Sequence, residues 1–466
     1  MLGNQPCSAL QYFETIAKIT PMPVLRHFFR ASFYPIALKT ALVGLVVYWI
    51  AYEVRWSVKI ARKAADDAQA LACRAKLEPP DDPEQMRLYL PKALYAYPGH
   101  ELRLYFENIV PPERFRQLTF KVESPFGATS RRYWSATFTP EQVGTHPLSI
   151  VVADLSGKEL LRGKTEVHVA PLRAGEGKAL RLLIVGDSLT HATFYPNRID
   201  ELCSQSGNPQ LTMIGTHKLS SARPGVVHEG YNGWTWWHFL MYHNPGTHSC
   251  GTPDKSPFLY LGADGKPRLD VARYLRETSP EGPPDLVIFE LGINDAFCLL
   301  AEDDIFAPGK DFILPRVEEL LTTFRQAAPN AALAIWLTQP VNATQESFDH
   351  SYRGLVDYAG LKRSKIALRQ HRLAGKLMKL YGDREREGLF VIPMCATVDP
   401  LDDYDALDSV HPCFTGYRRI GDSVYAWMKW WLSSETASAE RLAAIQVPAN
   451  DPPSPAIALT DNKERR

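Results

Sequence analysis

The sequence predicts an α/β protein that combines a doubly wound parallel sheet with a smaller β module on its N-terminal side. From about residue 177 to 434, short apolar runs alternate with helical patterns, an order typical of a parallel sheet with helices on both faces. Between residues 86 and 172, apolar residues recur at every second position, which is typical of half-buried strands. The apolar runs are residues 182–185, 211–214, 286–290, 332–337 and 389–393, and the helical patterns include 313–328, 352–381 and 417–431.

The composition is that of a large globular protein without overall charge. The chain has 466 residues, 45% of them hydrophobic, so it can bury a sizeable core in more than one domain. Lys and Arg together number 52, as do Asp and Glu, so no net field attracts nucleic acid and we expect no such partner. The seven cysteines form no C-x-x-C pair, and the histidines of residues 216–284 fit no zinc spacing. We therefore expect no metal and no cofactor.

An apolar run predicts a transmembrane helix over residues 34–56, after an N-terminal segment of residues 1–33. Residues 35–52 contain one charge, Lys39, and are just long enough to cross roughly 30 Å of hydrocarbon. A buried core helix and a cleaved signal peptide are the alternatives, and the charged residues directly after the run disfavour cleavage. Basic residues flank both ends, so charge does not decide the orientation. On functional grounds we expect a membrane-anchored protein whose large C-terminal part is extracytoplasmic.

Three further segments lie outside the parallel sheet. Residues 57–85 are rich in alanine and charge and predict a stalk or linker helix. Residues 86–172 predict a small antiparallel β-sandwich of immunoglobulin-like size. No ionisable cluster stands out in this module, so a role as spacer or packing module is favoured over carbohydrate binding. Residues 435–466 contain several prolines and little apolar periodicity, which predicts a disordered tail.

A serine follows the first predicted strand of the parallel sheet. The apolar run 182–185 continues into Gly186-Asp187-Ser188-Leu189, a sharp turn from strand to helix. In open α/β sheets, ligands bind at the carboxyl ends of the strands, where the first N–H groups of the next helix favour negative charge. Ser188 therefore has the exposure and the oxyanion donor that a nucleophile needs. Turn formation and helix capping are the alternative roles of these residues.

Three other motifs fall near the same edge of the predicted sheet. Asn294 follows the third strand in a Gly-x-Asn-Asp motif, where its amide can donate to a developing oxyanion. Gly233 lies in the long insertion and offers a backbone N–H that a ligand can approach closely, although Gly230 belongs to the same motif. Asp408 precedes His411 by three residues, so its carboxylate can orient the imidazole toward a serine.

These motifs, in this order, resemble the four signature blocks of the SGNH (GDSL-type) hydrolase superfamily. The blocks here are Gly186-Asp187-Ser188-Leu189, Gly233, Gly292-x-Asn294-Asp295 and Asp408-x-x-His411. The resemblance covers roughly residues 180–432 and is specific because four separate blocks agree. It implies a flavodoxin-like doubly wound sheet in a hydrolase domain of residues 177–434.

The resemblance also implies the roles of individual residues. Ser188 would be the nucleophile, His411 the base and Asp408 its orienter. The oxyanion hole would consist of the Ser188 and Gly233 N–H groups and the Asn294 side chain. No cofactor or metal takes part in this chemistry.

The reaction implied is that of a serine esterase that hydrolyses short, acetyl-type esters through an acyl-enzyme. Its partner would be a small-molecule or glycan ester, in carbohydrate or cell-envelope material. Two alternatives remain: an O-acyltransferase with the same triad, and a non-catalytic, membrane-anchored glycan-binding protein. Aromatic rings can bind sugars, but the tryptophans here are equally consistent with core packing. The candidate substrate contacts are His191, Trp234, Trp236 and Asp295.

Overall fold

The computed structural model describes residues 86–246, 253–297, 313–353 and 361–434, which all belong to one compact unit. Within these ranges, no helix is both long and apolar enough to cross a membrane. Four predicted segments lie outside the described residues: the N-terminal segment 1–33, the transmembrane helix 34–56, the stalk 57–85 and the tail 435–466.

Seven strands form two sheets in the β module. The strands are β1 (Ala93–Ala96), β2 (Glu101–Tyr105), β3 (Leu118–Glu123), β4 (Ala128–Thr129), β5 (Tyr133–Thr137), β6 (Gly144–Asp154) and β7 (Glu159–Val169). One sheet has the order β1-β7-β6-β3 and the other the order β2-β5-β4. The period-two runs of the sequence lie on β2, β3, β6 and β7, because alternate side chains of a strand face the same side.

One strand pair of the module departs from the antiparallel arrangement expected from the sequence. β1 pairs with β7 in parallel, with Ala93 opposite Glu166 and Ala96 opposite Val169. Five other strands separate β1 from β7 along the chain, so no hairpin forces the two strands to run in opposite directions. The assignment of the module to an immunoglobulin-like class stays a prediction.

The second part of the chain is built on a parallel sheet. Its strands are β8 (Ala179–Gly186), β9 (Gln210–Ile214), β10 (Glu229–Gly230), β13 (Leu286–Glu290), β14 (Ala332–Trp336) and β15 (Leu389–Ile392), and a separate hairpin contains β11 (Leu259–Leu261) and β12 (Pro267–Leu269). All five apolar runs of the sequence are strands of this sheet, and β13 and β14 are buried along their whole length. Strands covered on both faces need apolar side chains at every position, which explains the uninterrupted runs.

The order of these strands gives the sheet a switch point. β9 and β10 pair with successive halves of β8, and β13, β14 and β15 follow on its other side, all in parallel. Without the two-residue β10, the order is 2-1-3-4-5, the flavodoxin-like arrangement of doubly wound sheets. The chain order reverses between β8 and β13. A crevice at the carboxyl ends of these two strands is the expected ligand site.

Helices cover the sheet and connect its strands. They are α1 (Ser188–His191), α2 (Phe194–Cys203), α3 (Trp236–Met241), α4 (Val271–Thr278), α5 (Ile293–Phe297), α6 (Ile313–Ala327), α7 (Gln345–Ser351), α8 (Arg363–Tyr381), α9 (Met394–Thr397) and α10 (Phe414–Ser433). Of the pattern expected over residues 352–381, the structure shows α8, which begins at Arg363 after the extended backbone of Lys362. The helices expected over 313–328 and 417–431 correspond to α6 and α10.

The β module and the parallel sheet share buried side chains. One hydrophobic cluster contains Phe106, Trp134 and Leu148 of the module together with Val185 and Val287 of the sheet. A packed interior loses stability when such contacts are removed, so the two parts depend on each other. The division of the chain into separate domains near residues 172–177 stays a prediction.

Stability measurements can test the burial of the central strand. Ile288 is fully buried, so Ile288→Ala should lower the free energy of unfolding by about 2–5 kcal/mol, and Ile288→Val by about 0.5–1.5 kcal/mol. Leu261 is 59% exposed, and Leu261→Ala is the control, with an expected change within about 0.5 kcal/mol. The measurement is urea-induced unfolding of each variant. Equal losses for Ile288→Ala and Leu261→Ala would contradict this assignment.

Candidate active site

Ser188 lies where β8 turns into α1, at the switch point of the sheet. Asp187 caps the helix, because its side chain accepts a hydrogen bond from the Leu189 N–H at 3.0 Å. Ser188 is therefore the first helical residue, and its N–H has no carbonyl one turn earlier to bind. The hydroxyl and the N–H of one residue thus lie together at the positive end of a short helix.

His411 and Asp408 meet this serine from a loop near the end of the described chain. The His411 Nε2 atom is 3.0 Å from the Ser188 Oγ atom, and its Nδ1 atom is 3.2 Å from the Asp408 Oδ2 atom. The other oxygen of Asp408 accepts hydrogen bonds from the Val410 and His411 N–H groups at 2.9 and 2.8 Å. The distances from Asp408 to His411 and from His411 to Ser188 are both within hydrogen-bond reach, as nucleophilic catalysis requires.

A buried asparagine that the sequence analysis does not single out fixes this loop. The Asn342 side chain donates to the Asp405 and Asp408 carbonyls at 3.0 and 2.9 Å, and its backbone N–H donates to the Ser409 carbonyl at 3.0 Å. Asn342 is 2% exposed. It follows β14 and lies more than 60 residues from its partners. No local sequence signal could have revealed this role.

The two charged members of the constellation shift each other's pKa. Burial alone would lower the pKa of His411, but the hydrogen bond and charge of Asp408, with the charge of Asp187, outweigh it and raise the pKa above 6.5. Burial would raise the pKa of Asp408, but its hydrogen bonds to His411 and to the backbone outweigh that effect and lower it. Asp408 is therefore an anion at neutral pH, and it stabilises the imidazolium that forms when His411 accepts a proton.

Asn294 lies in the first turn of α5, the helix that follows β13, and reaches the residue before the serine. Its Nδ2 atom is 3.1 Å from the Asp187 Oδ2 atom and 3.0 Å from the Trp234 carbonyl oxygen. These two acceptors match the two hydrogens of the amide. The structure thus joins three of the motifs, since Asp187 precedes Ser188 and Trp234 follows Gly233. An acyl oxygen would receive a hydrogen bond from Asn294 in exchange for one of these two contacts.

The two glycines of the second motif have different environments. The Gly230 N–H already donates to the His228 side chain at 3.1 Å, and a Cβ atom there would lie 2.5 Å from Thr190 and 2.7 Å from the His191 backbone nitrogen. Gly230 is therefore a packing residue. Gly233 is exposed at a φ of 74°, and a Cβ atom there would meet nothing within 4 Å. The backbone conformation and the open surroundings both favour Gly233 as the ligand-facing glycine.

Two buried carboxyl groups underlie the site. Glu290, at the end of β13, accepts hydrogen bonds from the Thr190 hydroxyl at 2.8 Å and from the Asp187 N–H at 3.2 Å. Burial raises the pKa of Glu290, and the nearby Asp187 raises it further. Burial likewise raises the pKa of Asp187 to about 7. Because two adjacent carboxylates do not both ionise readily, this pair retains a proton near neutral pH. A lone Asp or Glu after a strand gives no sequence signal for such a pair.

The candidate substrate contacts have unequal access to solvent. His191 is partly exposed, and its Nδ1 atom is 2.9 Å from the His217 Nε2 atom. Trp236 is fully buried and stacks on Phe289, and Trp234 is 1% exposed. The two tryptophans are core residues here, which corrects the expectation of substrate contact, because neither presents a ring face to a ligand.

Asp295, the fourth candidate substrate contact, is 3% exposed, and burial raises its pKa to about 7. No hydrogen-bond partner of its Oδ2 atom is found among the described residues. A side chain so little exposed has no open surface for a substrate. Asp295 therefore contributes to the acidic interior beneath the site, beside Asp187.

An exposed pair of phenylalanines lies close to the site residues along the chain. Phe414 is 60% exposed and follows His411 by three residues, and Phe194 is 40% exposed and follows Ser188 by six. The centroids of the two rings are 5.8 Å apart, in an edge-to-face arrangement. An exposed aromatic pair beside a reactive centre is a surface on which a ligand can pack. The sequence alone does not distinguish Phe414 from a core residue of α10.

Comparisons with known proteins give matches among solved structures. No family model and no curated protein matches the chain. It is similar to a family 3 carbohydrate esterase of Clostridium thermocellum, with 16% identity and a TM-score of 0.33, over 57% of this chain and 100% of the other. It is also similar to a carbohydrate acetylesterase family member from Sinorhizobium meliloti, with 16% identity and a TM-score of 0.30, over 55% and 100%.

A peptidoglycan O-acetylesterase is a third similar structure, with 14% identity and a TM-score of 0.31, over 56% of this chain and 93% of the other. Among the described residues, no group of three or more His, Cys, Asp or Glu side chains could hold a metal ion.

The pH dependence of serine labelling tests the link between Asp408 and His411. Ser188 should react with a fluorophosphonate only when His411 is neutral, so the labelling rate should fall as the pH drops through a midpoint above 6.5. Asp408→Asn removes the charge that raises this pKa, so the midpoint should move to lower pH while the rate itself falls. Asp264→Asn, on a distant hairpin, is the control. An unchanged midpoint in Asp408→Asn would contradict the assignment.

Proposed function

We propose that this chain is a serine esterase of the SGNH type that hydrolyses short, acetyl-type esters of carbohydrate or cell-envelope material. The observation that carries the proposal is the continuous arrangement of Asp408, His411 and Ser188, with 3.2 and 3.0 Å between the interacting atoms. It lies at the switch point of a parallel sheet, where ligands of such sheets bind. The side chains of His411 and Asp408 are 46% and 40% exposed, so a substrate can reach them.

The reaction proceeds in two halves through the serine. His411 Nε2 takes the hydroxyl proton while the Ser188 oxygen attacks the ester carbonyl, and a tetrahedral oxyanion forms. When this species collapses, the bond to the alcohol breaks and the alcohol leaves with the proton from His411. The acyl group stays on Ser188 as the acyl-enzyme. Water then attacks the acyl group with His411 as base, and a second tetrahedral species releases the acid and regenerates Ser188.

Three donors are assigned to the oxyanion. They are the Ser188 N–H at the start of α1, the Gly233 N–H in its exposed turn and the Asn294 amide. Donors aimed at the developing charge lower the barrier because they bind the transition state more strongly than the ester. The contact from Asn294 to Asp187 holds the amide next to the serine before the substrate arrives.

The open site favours a polar, bulky alcohol over a long acyl chain. A sugar ring has an apolar C–H face and a polar rim, and the exposed rings of Phe194 and Phe414 offer a matching apolar surface. The acyl group enters the space between Ser188 and Asn294. A small acyl group is favoured over a lipid chain as the substrate's acyl group, because the sequence shows no apolar lid.

The location of the protein is part of the same proposal. Residues 34–56 have the length and the apolar character of a membrane anchor. An anchor there would hold the esterase close to cell-envelope esters on the outer side of the membrane. The β module would then lie between the anchor and the parallel sheet along the chain.

Asn294→Ala tests the oxyanion assignment. Loss of one such donor typically costs about 10²–10³ in turnover, so kcat for a short-chain ester should fall by about that factor. Asn294→Asp keeps the size but removes the donor, and it should be impaired to a similar degree. The measurement is steady-state release of acetate at neutral pH. A kcat within about threefold of wild type in both variants would show that Asn294 is not an oxyanion donor.

The first experiment compares the full chain with its Ser188→Ala variant on short-chain aryl esters and on acetylated oligosaccharides. Release of acid by the wild type but not by Ser188→Ala is the expected result. Diversion of the acyl group to an added sugar acceptor would instead identify an O-acyltransferase with the same triad. A folded wild type that binds glycans and releases no acid from either class of ester would overturn the esterase proposal.

A further inference from the structure

The β module contacts the loop that carries the catalytic aspartate and histidine. We propose that Arg132 of this module is a positioning residue for the reaction, and that it acts through Asp399 on the loop of residues 398–413. This role rests on the esterase function proposed above. It makes the module part of the catalytic machinery, where the sequence analysis favours a spacer or packing module.

Arg132 forms a two-pronged ion pair with Asp399. Its two terminal nitrogens lie 2.5 and 3.3 Å from the two carboxylate oxygens of Asp399, a pairing between residues 267 positions apart. The side chains are 17% and 2% exposed, so solvent screens the pair little. A guanidinium that binds both oxygens fixes the orientation of the carboxylate as well as its position.

A second contact joins the module to the adjacent loop residue. The Asn108 side chain, 1% exposed, donates to the Val398 carbonyl at 2.8 Å. Asn108 belongs to the 3-10 turn directly after β2, whereas Arg132 directly precedes β5. Residues next to β2 and β5, two strands of one sheet, therefore hold Val398 and Asp399 at the start of the loop.

The fixed end of the loop is connected to the catalytic end by short hydrogen bonds. The Asp399 N–H donates to the Asp403 carboxylate at 2.8 Å, and the Asp403 carbonyl accepts from the Cys413 N–H at 2.8 Å. Tyr404 and Pro412 form a bridge beside this contact. The connection thus ends two residues after His411. Displacement of Asp399 would be transmitted to the imidazole that must reach Ser188.

Arg419 forms a second link between Asp403 and the β module. Its Nε atom is 3.2 Å from the Asp403 carboxylate, and another of its nitrogens donates to the Tyr105 hydroxyl at 2.6 Å. Tyr105 is the last residue of β2. Asp403 holds one end of the loop through its carboxylate and the other through its backbone carbonyl. It is therefore itself bound, through one arginine, to the β module.

This arrangement predicts an effect on the chemical step beyond stability. A displacement of about 1 Å in a reacting group can cost 10²-fold in rate, so Arg132→Ala should lower kcat by about that factor with little change in KM. The hydrogen bond between Asp408 and His411 should weaken as well, so the acidic limb of the pH profile should move to lower pH. A residue that only stabilises the fold would leave that limb unchanged.

The experiment measures kcat, KM and the pH profile of the full chain for wild type, Arg132→Ala, Arg132→Lys, Asp399→Asn and Arg132→Ala/Asp399→Asn. Arg132→Lys keeps the charge without the two-pronged contact and should be intermediate. The double variant should be no worse than the worse single variant, because both substitutions break one connection. Fluorophosphonate labelling of Ser188 gives the same comparison without any ester substrate.

Lys92→Gln is the control. Lys92 forms another ion pair between the module and the rest of the chain, with Asp383. Asp383 follows the end of α8 and lies outside the loop of residues 398–413. Lys92→Gln should keep the kcat and the pH profile of wild type, whatever its effect on melting temperature.

Three results separate the failure of this inference from that of the esterase function. Wild-type kcat and labelling in Arg132→Lys and Asp399→Asn, with an active wild type, would overturn the positioning role alone. An equal loss of kcat in Lys92→Gln would also overturn it, because the effect would then belong to the whole interface. Absent turnover by wild type would overturn the esterase function, and the labelling rates would still decide the role of Arg132.

Discussion

The parallel pairing of β8 with β13 is the constraint on which the site depends. Gly186 lies opposite Glu290 in this pair, so the two strands end at the same level and their following turns emerge side by side. Ser188 and Asn294 owe their proximity to this register. Asp187 joins the two turns, since its side chain binds the Leu189 N–H on one side and the Asn294 amide on the other. A slip of one residue would reverse every side chain of the strand and separate these groups.

The site contains carboxyl groups in two contrasting environments. Asp408 lies in an open loop among donors that lower its pKa, whereas Asp187 and Glu290 lie in the interior, where burial raises theirs. The exposed carboxylate can therefore act as a permanent anion beside His411, while the buried pair shares a proton and serves as a hydrogen-bonded support. Environment assigns different tasks to residues of one chemical type.

The sequence predicts elements and reactive residues better than it predicts long-range support. The apolar runs are strands because strands covered on both faces need them, and the motif residues that follow two of those strands, Ser188 and Asn294, do lie together with the His411 loop. β4 and β10 have two residues each, too few for any periodicity. Trp236 shows the main limit, since an aromatic residue near a motif suits a core and a substrate site equally well.

The supporting residues could not be predicted from the sequence, for another reason. Asn342 and Arg132 act on partners 63 to 267 positions away, and nothing in their own neighbourhood in the sequence distinguishes them. Asn is common in turns, and Arg is common on surfaces, so each is unremarkable until the fold is known. The reactive residues of this site belong to short sequence motifs, whereas the contacts that position them form only in the tertiary structure.

The packing of β1 against α10 has a consequence for folding during synthesis on the ribosome. Tyr95 of β1 packs against Trp430 of α10, and Tyr97, which directly follows β1, packs against Tyr425, with ring centroids 4.7 and 5.1 Å apart. At synthesis rates of about 5–20 residues per second, the ribosome needs roughly 15–70 s to pass from one partner to the other. During that interval Tyr95 can pack on His168 of β7 but not on Trp430, so the nascent chain leaves part of this aromatic surface exposed to solvent. The packing of the earliest described strand is thus completed by the last of the described helices to be synthesised.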